Sequence, residues 1–164
     1  MAEIEIRPAV ADDREILWEF LAMAAYETDA AAAKAVPMVA SYLEGWQRPQ
    51  DFGVIAALDG VAIGAIWARQ FEPVAEPGYY CQERTPEMTI GVKQHMRGRG
   101  VGQMLMRAML AEAIRRDLRL CLNVRQTNPA LRLYERMGFH AVPGMIVRNR
   151  VGGLSVWMVW HAPS

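Results

Sequence analysis

Apolar and charged positions alternate in Glu3-Ile4-Glu5-Ile6-Arg7, a period of two that predicts a first strand. From Asp12 the period changes to that of a helix, with Leu17, Phe20, Leu21 and Ala24 on one stripe. Asp12 with Glu15 three residues later resembles a capping box at its start. Trp18 and Tyr26 fall off the stripe, where an aromatic ring either packs against a neighbour or faces a ligand. Residues 30–43 favour helix again, but Pro37 interrupts them, which predicts two short pieces or a kink ended by Gly45. Two apolar runs, 51–58 and 61–69, flank Asp59-Gly60, and that dipeptide supplies the two positive φ angles a type I′ hairpin needs. Residues 70–86 hold three prolines, Gly78 and the Tyr79-Tyr80 pair, too irregular for an element and long enough for a functional loop.

In the second half, Met88, Ile90 and Val92 alternate as a strand, while Val101, Met104, Leu105, Ala108 and Met109 recur at helical spacing with Gln103 and Arg107 opposite. Leu118, Leu120, Leu122 and Val124 alternate as the next strand. In residues 128–139 Asn128 caps, Pro129 takes the first helical position and Gly138 terminates, which predicts a two-turn helix. Its face is Ala130, Leu133, Tyr134 and Met137, so Tyr134 is expected to point inward. Residues 139–142 and 145–147 read as one strand bent at Pro143-Gly144, and 154–161 as the last strand, joined through Asn149 to Gly153.

Between the strand at 88–92 and the following helix lies Arg97-Gly98-Arg99-Gly100-Val101-Gly102. Three glycines leave backbone N–H groups uncovered at a helix N-terminus, where unpaired donors and the positive end of the macrodipole converge, and two arginines add fixed charge. Such a turn suits a pyrophosphate. The dinucleotide fingerprint G-x-G-x-x-G fails because Gln103 stands where its third glycine belongs, and no G-K-[ST] follows to make a phosphate loop.

A length of 164 residues fits one domain that buries about two-thirds of its unfolded surface. Hydrophobic residues make up 52% against 22% charged, which predicts a packed globule. Lysine and arginine number 18 and so do aspartate and glutamate, so no global field favours nucleic acid or an anionic membrane. No apolar signal core and no membrane-length apolar run is present, and a cytoplasmic location is expected. Cys81 and Cys121 lack metal-type spacing and are read as thiols. His95, His140 and His161 show no ligand spacing, Ser41, Ser155 and Ser164 stand in no nucleophile elbow, and Cys121 suits a core better than a nucleophile, so neither a metal site nor hydrolase chemistry is expected.

The spacing Arg97-x-x-Gly100-x-Gly102 between a strand and a long helix resembles the [QR]-x-x-G-x-[GA] signature of the GNAT superfamily of N-acetyltransferases. Asn128, Ala130, Leu133, Tyr134, Gly138 and Phe139 are similar to that family's second segment, with the alanine displaced by one. The order of the remaining elements follows the family too, so the resemblance covers nearly the whole chain. It implies an α/β fold of the α+β type: a single GNAT-like domain over 1–164, with a mixed, mostly antiparallel sheet and helices on both faces. The family sheet splays beside its central strand, and acetyl-coenzyme A (acetyl-CoA) lies in the opening.

That resemblance implies acetyl transfer from acetyl-CoA, a cosubstrate, to a primary amine by direct attack in a ternary complex. Backbone N–H groups of Gly98, Arg99, Gly100, Val101 and Gly102, with Arg97, would hold the pyrophosphate. Main-chain groups of Ile90, Gly91 and Val92 would pair with the pantetheine arm, and an N–H near Val92 would meet the oxyanion. Asn128 would contact the cofactor arm, and Tyr134 both the cofactor and the departing thiolate. Glu83 and Glu87 are the carboxylates nearest the strand start and are the candidate bases; Asn123 is a weaker site residue. Trp18, Tyr26, Trp46, Tyr79 and Tyr80 point to a small, partly apolar amine as acceptor. A protein N-terminus or lysine acceptor, and a non-catalytic acyl-CoA-binding module of the same fold, are the alternatives, and a homodimer is left open.

Overall fold

The computed structural model describes residues 2–72 and 80–164. Among the described residues are seven strands, β1 (Ile4–Pro8), β2 (Phe52–Leu58), β3 (Val61–Arg69), β4 (Glu87–Val92), β5 (Leu120–Arg125), β6 (His140–Arg148) and β7 (Leu154–Trp160). Five α-helices accompany them: α1 (Arg14–Ala24), α2 (Ala30–Ala35), α3 (Pro37–Ala40), α4 (Val101–Arg115) and α5 (Leu131–Arg136). The hydrogen-bonded order is β1-β2-β3-β4-β5-β7-β6. Pairing is antiparallel at β1–β2, β2–β3, β5–β7 and β6–β7 and parallel at β4–β5, the mostly antiparallel open sheet expected from the sequence. The chain forms two compact units, residues 1–69 with 89–109 and residues 70–88 with 110–164.

In the first unit, the hairpin turn has the predicted geometry, with φ of 52° at Asp59 and 79° at Gly60. Pro37 begins α3 at its first turn, where a missing N–H costs nothing, so the predicted interruption gives two short helices. The capping box expected at Asp12 does not form: Asp13 holds the N-cap position of α1, and its side chain makes no cap hydrogen bond to the helix. Asp13 precedes α1, accepts the Val10 N–H at 2.7 Å and takes both Arg7 terminal nitrogens at 2.8 and 2.9 Å, while Asp12 is exposed. Sequence cannot rank two adjacent aspartates; the strand that delivers Arg7 decides between them. The Arg7 hydrogen bond is the chief reason the Asp13 carboxyl titrates below its ordinary range.

Helix α1 buries Leu17, Trp18, Phe20 and Leu21 in a core that includes Ala33, Leu43, Trp46, Ile55 and Trp67. Two glycines set how closely its neighbours approach. A Cβ on Gly91 of β4 would lie 2.7 Å from the Phe20 carbonyl oxygen of α1. One on Gly64 of β3 would lie 3.0 Å from Leu105 and 3.2 Å from Val101 of α4. The unit also holds a buried ion pair: Arg69, 1% exposed, donates to Asp51 at 2.7 and 3.1 Å and to the carbonyls of Ser41 and Glu44 at 2.9 and 2.7 Å.

In the second unit, α5 begins two residues later than Asn128 and Pro129 implied. Asn128 Oδ1 accepts the Ala130 N–H at 2.9 Å in a turn that precedes the helix. The helix end is as predicted, with Gly138 at φ 99°. Strand β6 shifts register between Ala141 and Ile146, where Pro143-Gly144 was expected to bend it.

Removing one partner of a buried ion pair leaves the other charged and desolvated, at a cost of about 3–5 kcal/mol. Asp51→Ala should therefore lower the urea-unfolding free energy by about that amount; a loss under about 1 kcal/mol would show that Arg69 finds another partner.

Candidate functional site

After β4 the chain is held to β3 by the Lys93 N–H, which donates to the Ile63 carbonyl at 2.9 Å. A 3-10 turn, Gln94–Met96, then drops Met96 into the core, a step the sequence did not signal. Arg97 is extended, Gly98 and Gly100 are left-handed at φ 77° and 80°, and α4 starts at Val101. A Cβ on Gly98 or Gly100 would meet nothing within 4 Å, so backbone conformation, not crowding, calls for glycine there. Met104 N–H makes the first intrahelical bond, to the Gly100 carbonyl at 3.0 Å. The N–H groups of Val101, Gly102 and Gln103 consequently have no intrahelical acceptor. With Arg97 and Arg99 exposed beside them, these donors fit an anionic group such as a diphosphate.

Ile90 and Val92 are half-buried on β4, with Gly91 buried between them. The reason for glycine at 91 is the α1 backbone behind it, a role independent of its proposed pairing with a cofactor.

In the other unit the structure separates the two candidate bases. Glu87, 6% exposed, opens β4 opposite Cys121 in the parallel register. Glu83 is exposed in the turn that joins Gln82 to Thr85. Arg84 anchors that turn by donating to the carbonyls of Arg116 at 3.0 Å and Asp117 at 2.6 Å. Cys121 Sγ donates to the carbonyls of Thr85 at 3.6 Å and Tyr80 at 3.9 Å. Burial, then the Glu87 charge, then Cys81 push the Cys121 thiol well up. Burial and then Glu87 raise Cys81. Both cysteines are free, as read from the sequence. Forty residues of chain hid their common neighbourhood with Glu87, and neither had a spacing signal that would have revealed it.

Tyr134 is buried on α5 with its ring 6.1 Å from that of Phe139, the inward position expected. Asn128 is half-buried, and Asn123 is exposed on β5 opposite Trp157. Two of the aromatics considered for the acceptor are core residues. Trp46 is buried with Nε1 donating to the Val10 carbonyl at 3.1 Å, and Trp18 is buried with the Lys34 ammonium 5.2 Å from its ring centroid. Tyr80 is half-buried, its ring 6.3 Å from Trp157, and Tyr79 lies outside the described residues. Tyr26 remains as an aromatic more than half exposed.

An open groove of about 530 Å³ beside α5, lined by Leu131, Glu135, Phe139, Ile146, Val156 and Met158 among others, carries none of the predicted site residues. Among the described residues no cluster of three or more His, Cys, Asp or Glu side chains could hold a metal ion, and no helix is long and apolar enough to cross a membrane.

The model of the acetyltransferase (GNAT) family matches residues 14–139. No curated protein sequence matches the chain. Solved structures share the fold. The yncA protein of Salmonella typhimurium, solved with its cofactor acetyl-CoA, is 19% identical with a TM-score of 0.73, over 98% of this chain and 95% of that one. The ribosomal-protein-S18-alanine N-acetyltransferase of Escherichia coli is 18% identical with a TM-score of 0.72, over 99% and 96%. A chimera of the spermidine N-acetyltransferase SpeG of Vibrio cholerae with hSSAT is 16% identical with a TM-score of 0.69, over 96% and 95%.

Because burial and Glu87 hold both thiols protonated, Cys81 should react with a disulfide reagent at pH 8 more slowly than free cysteine, and Cys121 only on unfolding. Glu87→Gln removes the negative charge, favours the thiolate and should speed Cys81 labelling. An unchanged rate in a folded variant would show that the carboxylate does not act on this thiol.

Proposed function

The chain is a member of the GNAT family of acetyltransferases, and on that footing we propose that residues 1–164 form one domain that transfers an acetyl group from acetyl-CoA to the primary amine of a small molecule, in the cytoplasm. The observation that carries this reading is the opening of α4, where unpaired N–H donors, two left-handed glycines and two exposed arginines converge.

In this reading the N–H groups of Gly98 to Gly102 bind the diphosphate of the coenzyme, flanked by Arg97 and Arg99. The main chain of Ile90 to Val92 aligns the pantetheine arm as an added strand would, and an N–H near Val92 meets the developing oxyanion. Asn128 contacts the cofactor arm. An ammonium has no lone pair, so the acceptor must lose a proton before it attacks the thioester carbon. Glu87, a buried carboxylate at the start of β4, is the proposed base in preference to the exposed Glu83. Attack then proceeds within the ternary complex, the C–S bond breaks, and the thiolate takes a hydrogen bond from the Tyr134 hydroxyl. Reference pKa values of about 10 for tyrosine and about 8.5 for a thiol make full proton transfer uphill, so Tyr134 serves as a donor to developing charge.

The test is calorimetry with acetyl-CoA and thiol release over a panel of amines. Gly100 lies at φ 80°, where any side chain is strained, so the informative substitution is Gly102→Glu, at the second position of α4. An acid in the first turn favours the helix by about 0.3–1 kcal/mol yet repels a diphosphate. The variant should keep its melting temperature and lose acetyl-CoA binding; unchanged affinity would contradict the assignment. Glu87→Gln should lower kcat roughly 10²-fold and flatten the acidic limb of the pH–rate profile. Tyr134→Phe should lower kcat, by up to about 2.7–4 kcal/mol of barrier, at unchanged acetyl-CoA affinity. Wild-type kcat in either variant removes that residue from its role, and tight binding without transfer to any amine would favour a non-catalytic acyl-CoA-binding module.

A further inference from the structure

Gln70 comes directly after β3, and each hydrogen-bonding group of its side-chain amide has a main-chain partner. Oε1 accepts the Thr85 N–H at 3.0 Å, while Nε2 donates to the carbonyls of Gln82 and Phe71, both at 2.9 Å. A primary amide offers one carbonyl and two N–H bonds, so its carbonyl and both donors are engaged. Gln82 and Thr85 face each other across the tight turn before β4. The amide thus closes that turn from outside, as a neighbouring strand would.

The turn calls for such support. Arg84 lies within it at φ 54°, the left-handed region that residues with a Cβ avoid. Its side chain is committed to the end of α4 through the Arg116 and Asp117 carbonyls, and its own carbonyl accepts the Arg119 N–H at 2.9 Å. Thr85 and Glu87 are 2% and 6% exposed, and the carbonyl of Pro86 between them accepts the Cys121 N–H at 3.0 Å. A buried N–H without an acceptor is costly, so the Thr85 amide needs the oxygen that Gln70 brings. Strained backbone persists where its surroundings over-determine it, and here they do so immediately before Glu87.

Thr85 and Glu87 are separated only by Pro86, whose ring fixes its own φ, so a shift at Thr85 passes to Glu87 with little to absorb it. A general base works within about 2.6–3.2 Å of the proton it takes, and a misplacement of about 1 Å can cost roughly 10²-fold in rate. Whatever pins Thr85 therefore sets the aim of the Glu87 carboxylate.

We propose, on the reading of Glu87 as base, that Gln70 is a positioning residue for acetyl transfer: its amide pins the turn at Thr85 and so directs Glu87 toward the acceptor amine. A double-mutant cycle tests it, with thiol release from acetyl-CoA followed for benzylamine, a small and partly apolar primary amine, or for whichever panel amine the wild type turns over faster. Gln70→Leu keeps the bulk of the side chain and removes all three hydrogen bonds. It should lower kcat about 10-fold, within the roughly 10²-fold expected of Glu87→Gln, at unchanged acetyl-CoA affinity. In the Glu87→Gln background the same substitution should change kcat by less than about 2-fold, because no base is left to misplace. The deficit should also shrink as pH rises, since more of the amine then arrives neutral. Gln70→Asn keeps the amide on an arm one methylene shorter and should show the same pattern, which covers a leucine variant that folds poorly. Hydrogen exchange gives a readout independent of turnover: the Thr85 amide should exchange faster in both variants. Equal losses with and without the Glu87 carboxylate, an unchanged kcat, or an unchanged Thr85 exchange rate would overturn the assignment. Wild-type kcat in Glu87→Gln alone, or a wild type that acetylates no amine, would overturn the proposed chemistry and this inference with it; neither comparison alters Gln70, so the two failures are told apart.

Discussion

Gly91 and Gly64 leave no free room for a side chain, and they fix how closely α1 lies on β4 and α4 on β3. At Gly91 an added Cβ would sit 2.7 Å from the Phe20 carbonyl oxygen, and at Gly64 one would sit 3.0 Å from Leu105. The first glycine lets α1 lie directly on β4; the second lets the opening turn of α4 lie directly on β3. Both strands carry inflexible consequences, because overpacking here would have to move backbone as well as side chains, at a typical cost of about 1–3 kcal/mol. The N-terminus of α4 is therefore set by packing behind it, while the turn in front of it is left open.

That division of labour explains why the glycines are of two kinds. Gly64 and Gly91 answer to crowding, whereas Gly98 and Gly100 meet nothing and answer to backbone conformation. The left-handed pair turns the chain into α4 and leaves the first-turn N–H groups without intrahelical partners. An anion with several oxygens can satisfy such donors at once, and the helix dipole and Arg97 and Arg99 act in the same sense. Membership of the acetyltransferase family gives that anion an identity in the proposed reading, the diphosphate of acetyl-CoA.

What could be read from sequence was whatever local chemistry writes. Asp59-Gly60 has the two positive φ angles that its turn demanded, Pro37 splits the helical stretch, and Gly138 ends α5 in the left-handed region. What could not be read depended on distant partners. Arg7 arrives from β1 to select Asp13 over Asp12, and Asn128 caps a turn instead of the helix because the chain between it and Leu131 takes an extra bend. From sequence Trp18 and Trp46 could either pack or face an acceptor, because aromatics serve both uses, and burial places them in the core. The meeting of Glu87 with Cys81 and Cys121 had no sequence signature, since strand register created it.

In the proposed reading the backbone at the start of α4 is the anion cradle. An amide ¹H–¹⁵N titration with acetyl-CoA tests it residue by residue. The amides of Gly98, Arg99, Gly100, Val101 and Gly102 should shift together and saturate with the same affinity as the protein as a whole. Saturation of binding with those five amides unmoved would contradict it.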